Sequence, residues 1–336
     1  MSVSRVAVVQ DCPVLFNPAA TIRKVGDLVR KAAAGGAKLV VFPEAFVSAY
    51  PKGLDFGARI GSRTPEGRRD FQRYFEGAIE VPSKDTAALG QHASDAGVYL
   101  VIGVVEQDGG TLYCTVLTFD PRGTLLGKHR KLMPTAMERL IWGFGDGSTL
   151  PVFDTPIGKI GSVICWENYM PLLRMAMYAK GIQIYCAPTA VDPDSWQSTM
   201  QHVALEGRCF VLSACQHLTR GDCPPDYAAV QGNDPSTVLM RGGSVIYSPM
   251  GEILAGPNFD GPAVLYADID RGEIARAKFD FDVVGHYARP DVFRLQVDET
   301  SRVPVVLAGE RDGRAGRTTS RREEEAARLA ETNDAI

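Results

Sequence analysis

Cys165 occupies the position in the chain that most favours nucleophilic chemistry. It ends the apolar run Ile160 to Ile164, and the polar link Trp166-Glu167-Asn168 leads into a predicted helix at residues 168–180. A side chain there lies at the carboxyl edge of a sheet, where α/β proteins gather their sites, and a following helix N-terminus favours a thiolate. Cys186 ends another strand in a similar way, so position alone leaves two candidates.

A thiol nucleophile needs a base, because only about 3% of a thiol with a pKa near 8.5 is ionised at pH 7. His129 is one candidate, but it lies among Lys128, Arg130 and Lys131, where an unpaired base is disfavoured. Glu44 follows a buried strand at residues 38–42, and its apolar neighbours favour a raised pKa. Lys131 could instead stabilise negative charge that develops during a reaction.

Composition and motif content exclude several other classes of protein. The 336 residues carry 36 basic and 40 acidic side chains, a net charge of −4, which argues against nucleic-acid or membrane-surface binding. The sequence has no G-x-S-x-G, H-E-x-x-H or C-x-x-C motif, so a serine hydrolase and a metal site are disfavoured. We expect a cytoplasmic protein with reduced cysteines, because neither a signal peptide nor a spanning segment of about 20 apolar residues is present.

The elements that must position these residues alternate between strands and helices. Asn17-Pro18 and Ser83 begin predicted helices that end before Gly35 and Gly97, and Ser195 is predicted to cap a third. Three x-P-x-G segments fit β-turns between apolar runs, so each predicts a hairpin: residues 120–123, 155–158 and 248–251. Residues 241–247 and 264–269 are further predicted strands. The mixture favours a mixed sheet layered with helices.

Three separated motifs make the chain recognisable. They are Phe42-Pro43-Glu44, His129-Arg130-Lys131-Leu132-Met133-Pro134-Thr135 and Ile164-Cys165-Trp166-Glu167-Asn168. Their order resembles the nitrilase family of carbon–nitrogen hydrolases, from about residue 4 to about residue 300. The resemblance implies an α/β fold, a four-layer α-β-β-α sandwich, with a catalytic triad of Glu44, Lys131 and Cys165. It also implies a second glutamate, Glu138, that orients Lys131 or the substrate.

The resemblance extends to the branch that acts on nitriles. The segments 165–172, 142–148 and 281–291 look like that branch, and they imply hydrolysis of an organic nitrile to an acid and ammonia, without a metal or organic cofactor. Three alternatives stay open: an amidase of the same superfamily, a nitrile or cyanide hydratase that stops at the amide, and a catalytically dead filament protein. The intact triad disfavours the last of these.

Aromatic residues near the motifs predict the substrate class. Tyr50, Trp142 and Trp166 are predicted to bind substrate and to favour aromatic or arylaliphatic nitriles, although aromatic residues at strand ends often belong to a core. Thr189 is a fourth predicted substrate-binding residue. It lies in Pro188-Thr189-Ala190-Val191-Asp192, where the family often has an acidic residue at position 191, so this departure puts the substrate range in doubt.

The chain is predicted to divide at residue 280. Residues 1–280 form the hydrolase domain, and 281–336 form a C-terminal extension with an oligomer-contact segment. The residues from 309 onwards are polar and predicted to be disordered, with Ser320-Arg321-Arg322-Glu323 as a capping box that would begin a short helix. The resemblance implies homo-oligomers, dimers that extend into spirals or filaments, with no nucleic-acid or membrane partner.

Overall fold

The computed structural model describes residues 3–190, 193–303 and 305 of the 336. The predicted disordered tail, its capping box at Ser320, and positions Val191 and Asp192 therefore lie outside the described residues. The chain up to Thr300 packs as one compact unit. A domain boundary at residue 280 stays a prediction.

The helices carry their apolar residues on one face. In chain order they are α1 (Pro18–Ala34), α2 (Pro65–Glu76), α3 (Lys84–Ala96), α4 (Pro171–Ala179), α5 (Ser195–Gly207) and α6 (Gly272–Lys278). Short 3₁₀ turns cover Ala136–Leu140, Gly147–Thr149, Cys165–Tyr169 and Arg220–Asp222. Within the described part of the chain, none of these helices is long and apolar enough to cross a membrane.

The strands are short, and most of them belong to two sheets. In chain order they are β1 (Val3–Gln10), β2 (Leu39–Val41), β3 (Ala58–Arg59), β4 (Ser62–Arg63), β5 (Ile79–Glu80), β6 (Tyr99–Asp108), β7 (Thr111–Phe119), β8 (Leu125–Arg130), β9 (Val152–Phe153), β10 (Ile160–Ser162), β11 (Ile184–Thr189), β12 (Phe210–Cys215), β13 (His217–Thr219), β14 (Val238–Arg241), β15 (Ser244–Tyr247), β16 (Ile253–Asn258) and β17 (Ala263–Asp270).

The two large sheets pack face to face between two layers of helices. The first has the order β17-β1-β2-β6-β7-β8, with β5 beside β6, and the second has the order β16-β15-β12-β11-β10-β9. Alternate residues of both sheets fill the central core, such as Val8 and Val101 from the first and Ile184 and Leu212 from the second. Helices α1 and α3 cover the outer face of the first sheet, and α4 and α5 cover that of the second. The predicted α-β-β-α sandwich is confirmed.

Local signals in the sequence predicted many of these elements correctly. The Asn17 side chain accepts a hydrogen bond from the Ala20 amide at 3.0 Å, and Ser83 caps α3. The three x-P-x-G segments each close a turn between antiparallel strands, with β7 and β8, β9 and β10, and β15 and β16 as the pairs. Both sheets mix parallel and antiparallel neighbours, as predicted.

Three predicted boundaries are wrong, each for a local reason. The helix predicted at 168–180 begins at Pro171, because a residue that precedes proline disfavours helical backbone, and a 3₁₀ turn precedes it. Ser195 is the first residue of α5 and not its cap, which is Asp194. Of the strand predicted at 241–247, Arg241 is the last residue of β14, Gly242 and Gly243 interrupt the chain with φ of 88° and 93°, and β15 begins only at Ser244.

Candidate active site

Lys131 lies between two carboxylates in the interior of the sandwich. Its Nζ donates to Glu44 Oε1 at 2.6 Å and to Glu138 Oε2 at 2.7 Å. Glu138 also accepts from the Tyr50 hydroxyl at 2.7 Å and from the Thr135 amide at 2.6 Å. Glu44 is fully buried, and Lys131 is 1% and Glu138 8% exposed, so these charges interact with little screening by water.

The turn after β2 directs the Glu44 side chain inward. Ala45, the next residue, has a φ of 47°, which turns the chain sharply beside β6. The Gly103 amide of β6 donates to the Pro43 carbonyl at 3.2 Å, and the Gln216 side chain donates to the Glu44 carbonyl at 2.7 Å. The turn that carries Glu44 is therefore held by β6 and by Gln216, which directly follows β12.

A strained backbone at Cys165 presents its thiol at the end of β10. Cys165 has a φ of 50°, which side chains with a Cβ seldom adopt. The Asn168 side chain donates to the Val163 carbonyl at 3.1 Å and to the Cys165 carbonyl at 2.7 Å. The thiol accepts a hydrogen bond from the Thr189 hydroxyl at 3.2 Å. Asn168 thus stabilises the conformation that aims the thiol into the site.

Burial and charge set the protonation of the three residues. Burial raises the pKa of Glu44, an effect that Lys131 opposes. Burial also disfavours the charged form of Lys131, but Glu44, Cys165 and Glu138 outweigh it and raise the Lys131 pKa, which keeps the ammonium charged. Burial, together with the charge of Glu44, raises the pKa of Cys165.

Cys165 is therefore a thiol at rest, and the expectation that a helix N-terminus would favour a thiolate is wrong. The residues that follow Cys165 form a five-residue 3₁₀ turn, and the α-helix begins only at Pro171. The thiol is 1% exposed, and burial away from water disfavours its anion. A base must remove the thiol proton, and Glu44 is the carboxyl that interacts with Cys165.

The basic residues beside Lys131 turn to the opposite face of β8. Lys128 forms an ion pair with Glu106, and Arg130 binds the same carboxylate at 2.7 and 2.9 Å. Burial would raise the pKa of Glu106, but hydrogen bonds and charge from Arg130 and Lys128 outweigh it and lower the pKa. Basic residues that follow one another usually lie in a solvated turn, but Lys131 is buried.

A cavity of about 170 Å³ is lined by Tyr50 and by Glu138, the carboxylate that binds Lys131. Its other lining includes the apolar side chains of Leu54, Phe56, Met137, Leu140 and Ile141. Trp142 is 2% exposed, and its ring packs edge-on against Tyr50 with centroids 5.8 Å apart. Tyr50 therefore contacts both the cavity and the charged centre, while Trp142 supports it from behind.

Trp166 and Thr189 lie on different sides of Cys165. Thr189 is fully buried and contacts the thiol, so it belongs to the site. Trp166 is 47% exposed and packs edge-on against Tyr169, which is 44% exposed. These placements bring Tyr50, Trp142 and Thr189 together around the triad and leave Trp166 on the surface beside it.

One residue of the site escaped the sequence analysis, which assigned no chemistry to Cys114. Its thiol donates to Glu44 Oε1 at 3.4 Å, and its carbonyl accepts from the Lys131 amide at 2.8 Å. Glu44 Oε1 thus accepts hydrogen bonds from both Lys131 and Cys114. Glu44 Oε2 is buried without a hydrogen-bond partner within the described residues. Oε2 is therefore the oxygen that is free to accept a proton. The signal in the sequence was the hairpin predicted at residues 120–123, since the pairing of its two strands brings position 114 beside Lys131.

Comparison with protein families and curated proteins shows which proteins the chain is similar to. The model of the carbon–nitrogen hydrolase family matches residues 5–279. The aliphatic nitrilase of Sinorhizobium fredii is 60% identical over 306 residues, which cover 91% of this chain and 99% of that protein. The bifunctional nitrilase/nitrile hydratase of Nicotiana tabacum is 57% identical over 305 residues, which cover 90% of this chain and 88% of that protein.

A solved structure with low sequence identity shares the fold. It is a member of branch 10 of the nitrilase superfamily from Saccharomyces cerevisiae, with a TM-score of 0.66 at 23% identity. The match covers 85% of this chain and 96% of that chain. At this level of identity the similarity shows that the two chains share the sandwich fold, and it gives no information on the substrate.

Proposed function

The chain belongs to the carbon–nitrogen hydrolase family and to its nitrilase branch, and from that premise we propose that it hydrolyses an organic nitrile to a carboxylic acid and ammonia through a covalent Cys165 intermediate. The observation that carries the proposal is the buried cluster of thiol, carboxyl and ammonium at Cys165, Glu44 and Lys131. It supplies a nucleophile, a base and a cation within one water-poor site.

The first half of the reaction forms a thioimidate. Glu44 Oε2 takes the thiol proton, and the Cys165 sulfur attacks the nitrile carbon, so negative charge develops on the nitrile nitrogen. Lys131 stabilises that charge and donates a proton to the nitrogen. General base catalysis typically contributes about 10²–10⁴ in rate, and one donor to a developing charge about 10²–10³.

The second half releases the two products. The proton that Glu44 took restores the ammonium of Lys131, so Glu44 is again a base. It activates a water that adds to the thioimidate carbon, the proton of that water passes to the nitrogen, and the tetrahedral intermediate expels ammonia to leave a thioester. A second water hydrolyses the thioester, which frees the acid and the thiol. The balance is one nitrile and two waters to one carboxylic acid and one ammonia, with no oxidant, metal or cofactor involved.

Replacement of Cys165 tests the proposal, and Cys186 offers a matched control. Cys165→Ala should release no ammonia from a nitrile that the wild type hydrolyses, because the variant lacks the proposed nucleophile. Cys186 is an equally buried thiol, but it lies inside β11 and not at the strand end that the sequence predicted, so Cys186→Ala should retain turnover. Ammonia release by Cys165→Ala at the wild-type rate would refute the covalent mechanism.

Release of an amide is the second candidate outcome, and the name of one relative favours it. The Nicotiana tabacum relative is a bifunctional nitrilase/nitrile hydratase. In this chain the tetrahedral intermediate would then expel the Cys165 thiol in place of ammonia. Acid, amide and ammonia should be measured from the same reaction. An amide fed separately as substrate distinguishes an amidase, which would hydrolyse it faster than the nitrile.

We extend the proposal to aromatic or arylaliphatic nitriles. The Tyr50 ring beside the cavity and the Trp142 ring behind it support this preference, because offset and edge-on ring contacts favour an aryl group. The Sinorhizobium fredii relative is named an aliphatic nitrilase, so aliphatic nitriles must be tested alongside. A higher kcat/KM for aliphatic than for arylaliphatic nitriles of similar size would refute the preference.

We also propose that the chain forms homo-oligomers that extend into spirals. Large apolar side chains are exposed on α4 and in the C-terminal segment, and burial between subunits would remove them from water: Leu172, Tyr287, Val292 and Phe293. Light scattering and electron microscopy of the full chain and of a chain truncated at residue 300 test the role of the tail. Identical assembly of the two would exclude it.

A further inference from the structure

Glu167 is a fully buried carboxylate two residues after the nucleophile, and the triad does not use it. Its side chain is inaccessible to solvent. One oxygen, Oε1, accepts a hydrogen bond from the Leu132 amide, and the other, Oε2, accepts from the Ile164 amide at 2.9 Å. Leu132 directly follows Lys131, and Ile164 directly precedes Cys165. A single carboxylate therefore binds the backbone beside two triad residues.

His129 completes the set of partners around this carboxylate. Its Nε2 lies 2.9 Å from Glu167 Oε2, and its Nδ1 lies 2.6 Å from the Thr149 carbonyl oxygen. A carbonyl can only accept, so Nδ1 carries a proton. With amides donating to both Glu167 oxygens, Nε2 is best placed as a second donor, which makes the ring an imidazolium beside a carboxylate.

This cluster joins the two sheets at the catalytic centre. His129 lies in β8 of the first sheet, two residues before Lys131 and on the same side of the strand. Glu167 lies in the turn after β10 of the second sheet. The ammonium and the thiol come from different sheets, so their separation depends on how the sheets are held together at this edge.

We propose that Glu167 and His129 are positioning residues that set the distance between Lys131 and Cys165. Neither contacts the triad side chains through its own hydrogen bonds, and neither takes part in bond making. Their role is to hold Leu132 and Ile164 so that the thiol and the ammonium stay in reactive geometry. A misplacement of about 1 Å can cost about 10² in rate.

The charged state of His129 couples this geometry to pH. Burial disfavours the imidazolium, but Glu167 and the hydrogen bond to Thr149 outweigh it and raise the pKa of His129. The other charged groups near it on β8 have their own partners, Lys128 and Arg130 on Glu106 and Lys131 on Glu44 and Glu138. Because the folded pKa of His129 is raised, the charged pair is complete below the pKa of an unfolded histidine and is lost as the pH rises through the folded pKa.

The test compares Glu167→Gln with a matched carboxylate elsewhere. Gln keeps the shape of the side chain, but its amide nitrogen would face a backbone amide. One of the two hydrogen bonds from Leu132 and Ile164 is therefore lost. Asp120 is also buried and accepts from two backbone amides, Arg122 and Thr124 at 2.9 Å each, at the far end of β8. Asp120→Asn therefore controls for the loss of a buried, amide-bound carboxylate.

Alkylation of Cys165 and turnover of a nitrile are the two readouts. Only the turnover readout rests on the proposed function, so the two together separate this inference from it. Alkylation of Cys165 by iodoacetamide, followed by peptide mass spectrometry, reports the site without any nitrile. Glu167→Gln should lower the alkylation rate and kcat by about tenfold or more, with KM changed less than about threefold. Asp120→Asn should change neither. Wild-type alkylation by folded Glu167→Gln would overturn the proposal, whether or not nitriles are substrates.

His129→Gln is the second variant, and it tests the positioning role of the Glu167–His129 pair if Glu167→Gln does not fold. Gln still donates to Glu167 but cannot titrate over the pH range of the assay. We expect kcat near neutral pH to stay within about tenfold of wild type. The fall of wild-type kcat on the alkaline side should shift to higher pH in the variant. Identical pH profiles of His129→Gln and wild type would overturn the role of the charged pair.

Discussion

Gly103 controls the position of Glu44, the proposed base, and Gly103→Ala is the sharpest test of that geometry. Glycine leaves room in the middle of β6 where the turn that carries Glu44 crosses it. A Cβ built on Gly103 would lie 2.4 Å from the Pro43 carbonyl oxygen, 2.6 Å from the Ala45 amide nitrogen and 2.7 Å from the Glu44 Cα. All three are backbone atoms, so no side-chain rotation can relieve the contact.

The size of the shift gives the expected loss of activity. An ordinary contact of about 3.4 Å requires the Glu44 turn and β6 to separate by about 1 Å. The hydrogen bond between the Gly103 amide and the Pro43 carbonyl would lengthen with it. A displacement of about 1 Å at a catalytic group costs about 10² in rate, or about 2.7 kcal/mol of transition-state stabilisation.

Steady-state ammonia release and thermal unfolding should be measured together. Gly103→Ala should lower kcat by about 10² and destabilise the fold by about 1–3 kcal/mol through overpacking. Gly110 lies in the turn of the same β6–β7 hairpin, and a Cβ there meets no atom within 4 Å. Gly110→Ala should leave kcat unchanged. A folded Gly103→Ala enzyme with kcat within about threefold of wild type would refute the reasoning.

Three further predictions follow from named contacts. Asn168→Ala removes two hydrogen bonds to buried carbonyls, which should cost about 1–3 kcal/mol in calorimetry and lower kcat by about tenfold, because Cys165 loses support for its positive φ. Cys114→Ala removes a donor to the Glu44 carboxylate, so the acid limb of kcat/KM should move up by about one pH unit or less, and Cys114→Ser should restore it. Glu106→Gln should lower the melting temperature at neutral pH. Because the folded pKa of Glu106 is depressed, the difference from wild type should shrink as the pH falls below about 4.3.

Each of these predictions has a result that contradicts it. An Asn168→Ala protein with wild-type stability would mean that the turn at Cys165 holds itself. An unchanged acid limb in Cys114→Ala would mean that the thiol does not affect Glu44. A stability gap for Glu106→Gln that stays constant down to pH 3 would show that the ion pair with Arg130 contributes through packing and not through charge.

Short-range signals in the sequence predicted much of the scaffold. Asn17-Pro18 begins α1 because the cap and the proline act within one turn, and the x-P-x-G segments form turns for the same reason. The errors at residues 168–180 and 241–247 arose where a local pattern had two solutions. Pro171 and the pair Gly242-Gly243 decided them in the folded chain.

The sequence by itself determined which residues we propose as reactive, Glu44, Lys131 and Cys165, and their order along the chain, since three motifs carry them. Only the tertiary structure decided that Cys165 is a thiol at rest, that Cys114 shares Glu44 with Lys131, and that Glu167 holds two sheets together. The physical reason is that burial and charge depend on atoms that are far apart in the chain. Glu44 and Lys131 are 87 residues apart, yet their side chains meet at 2.6 Å.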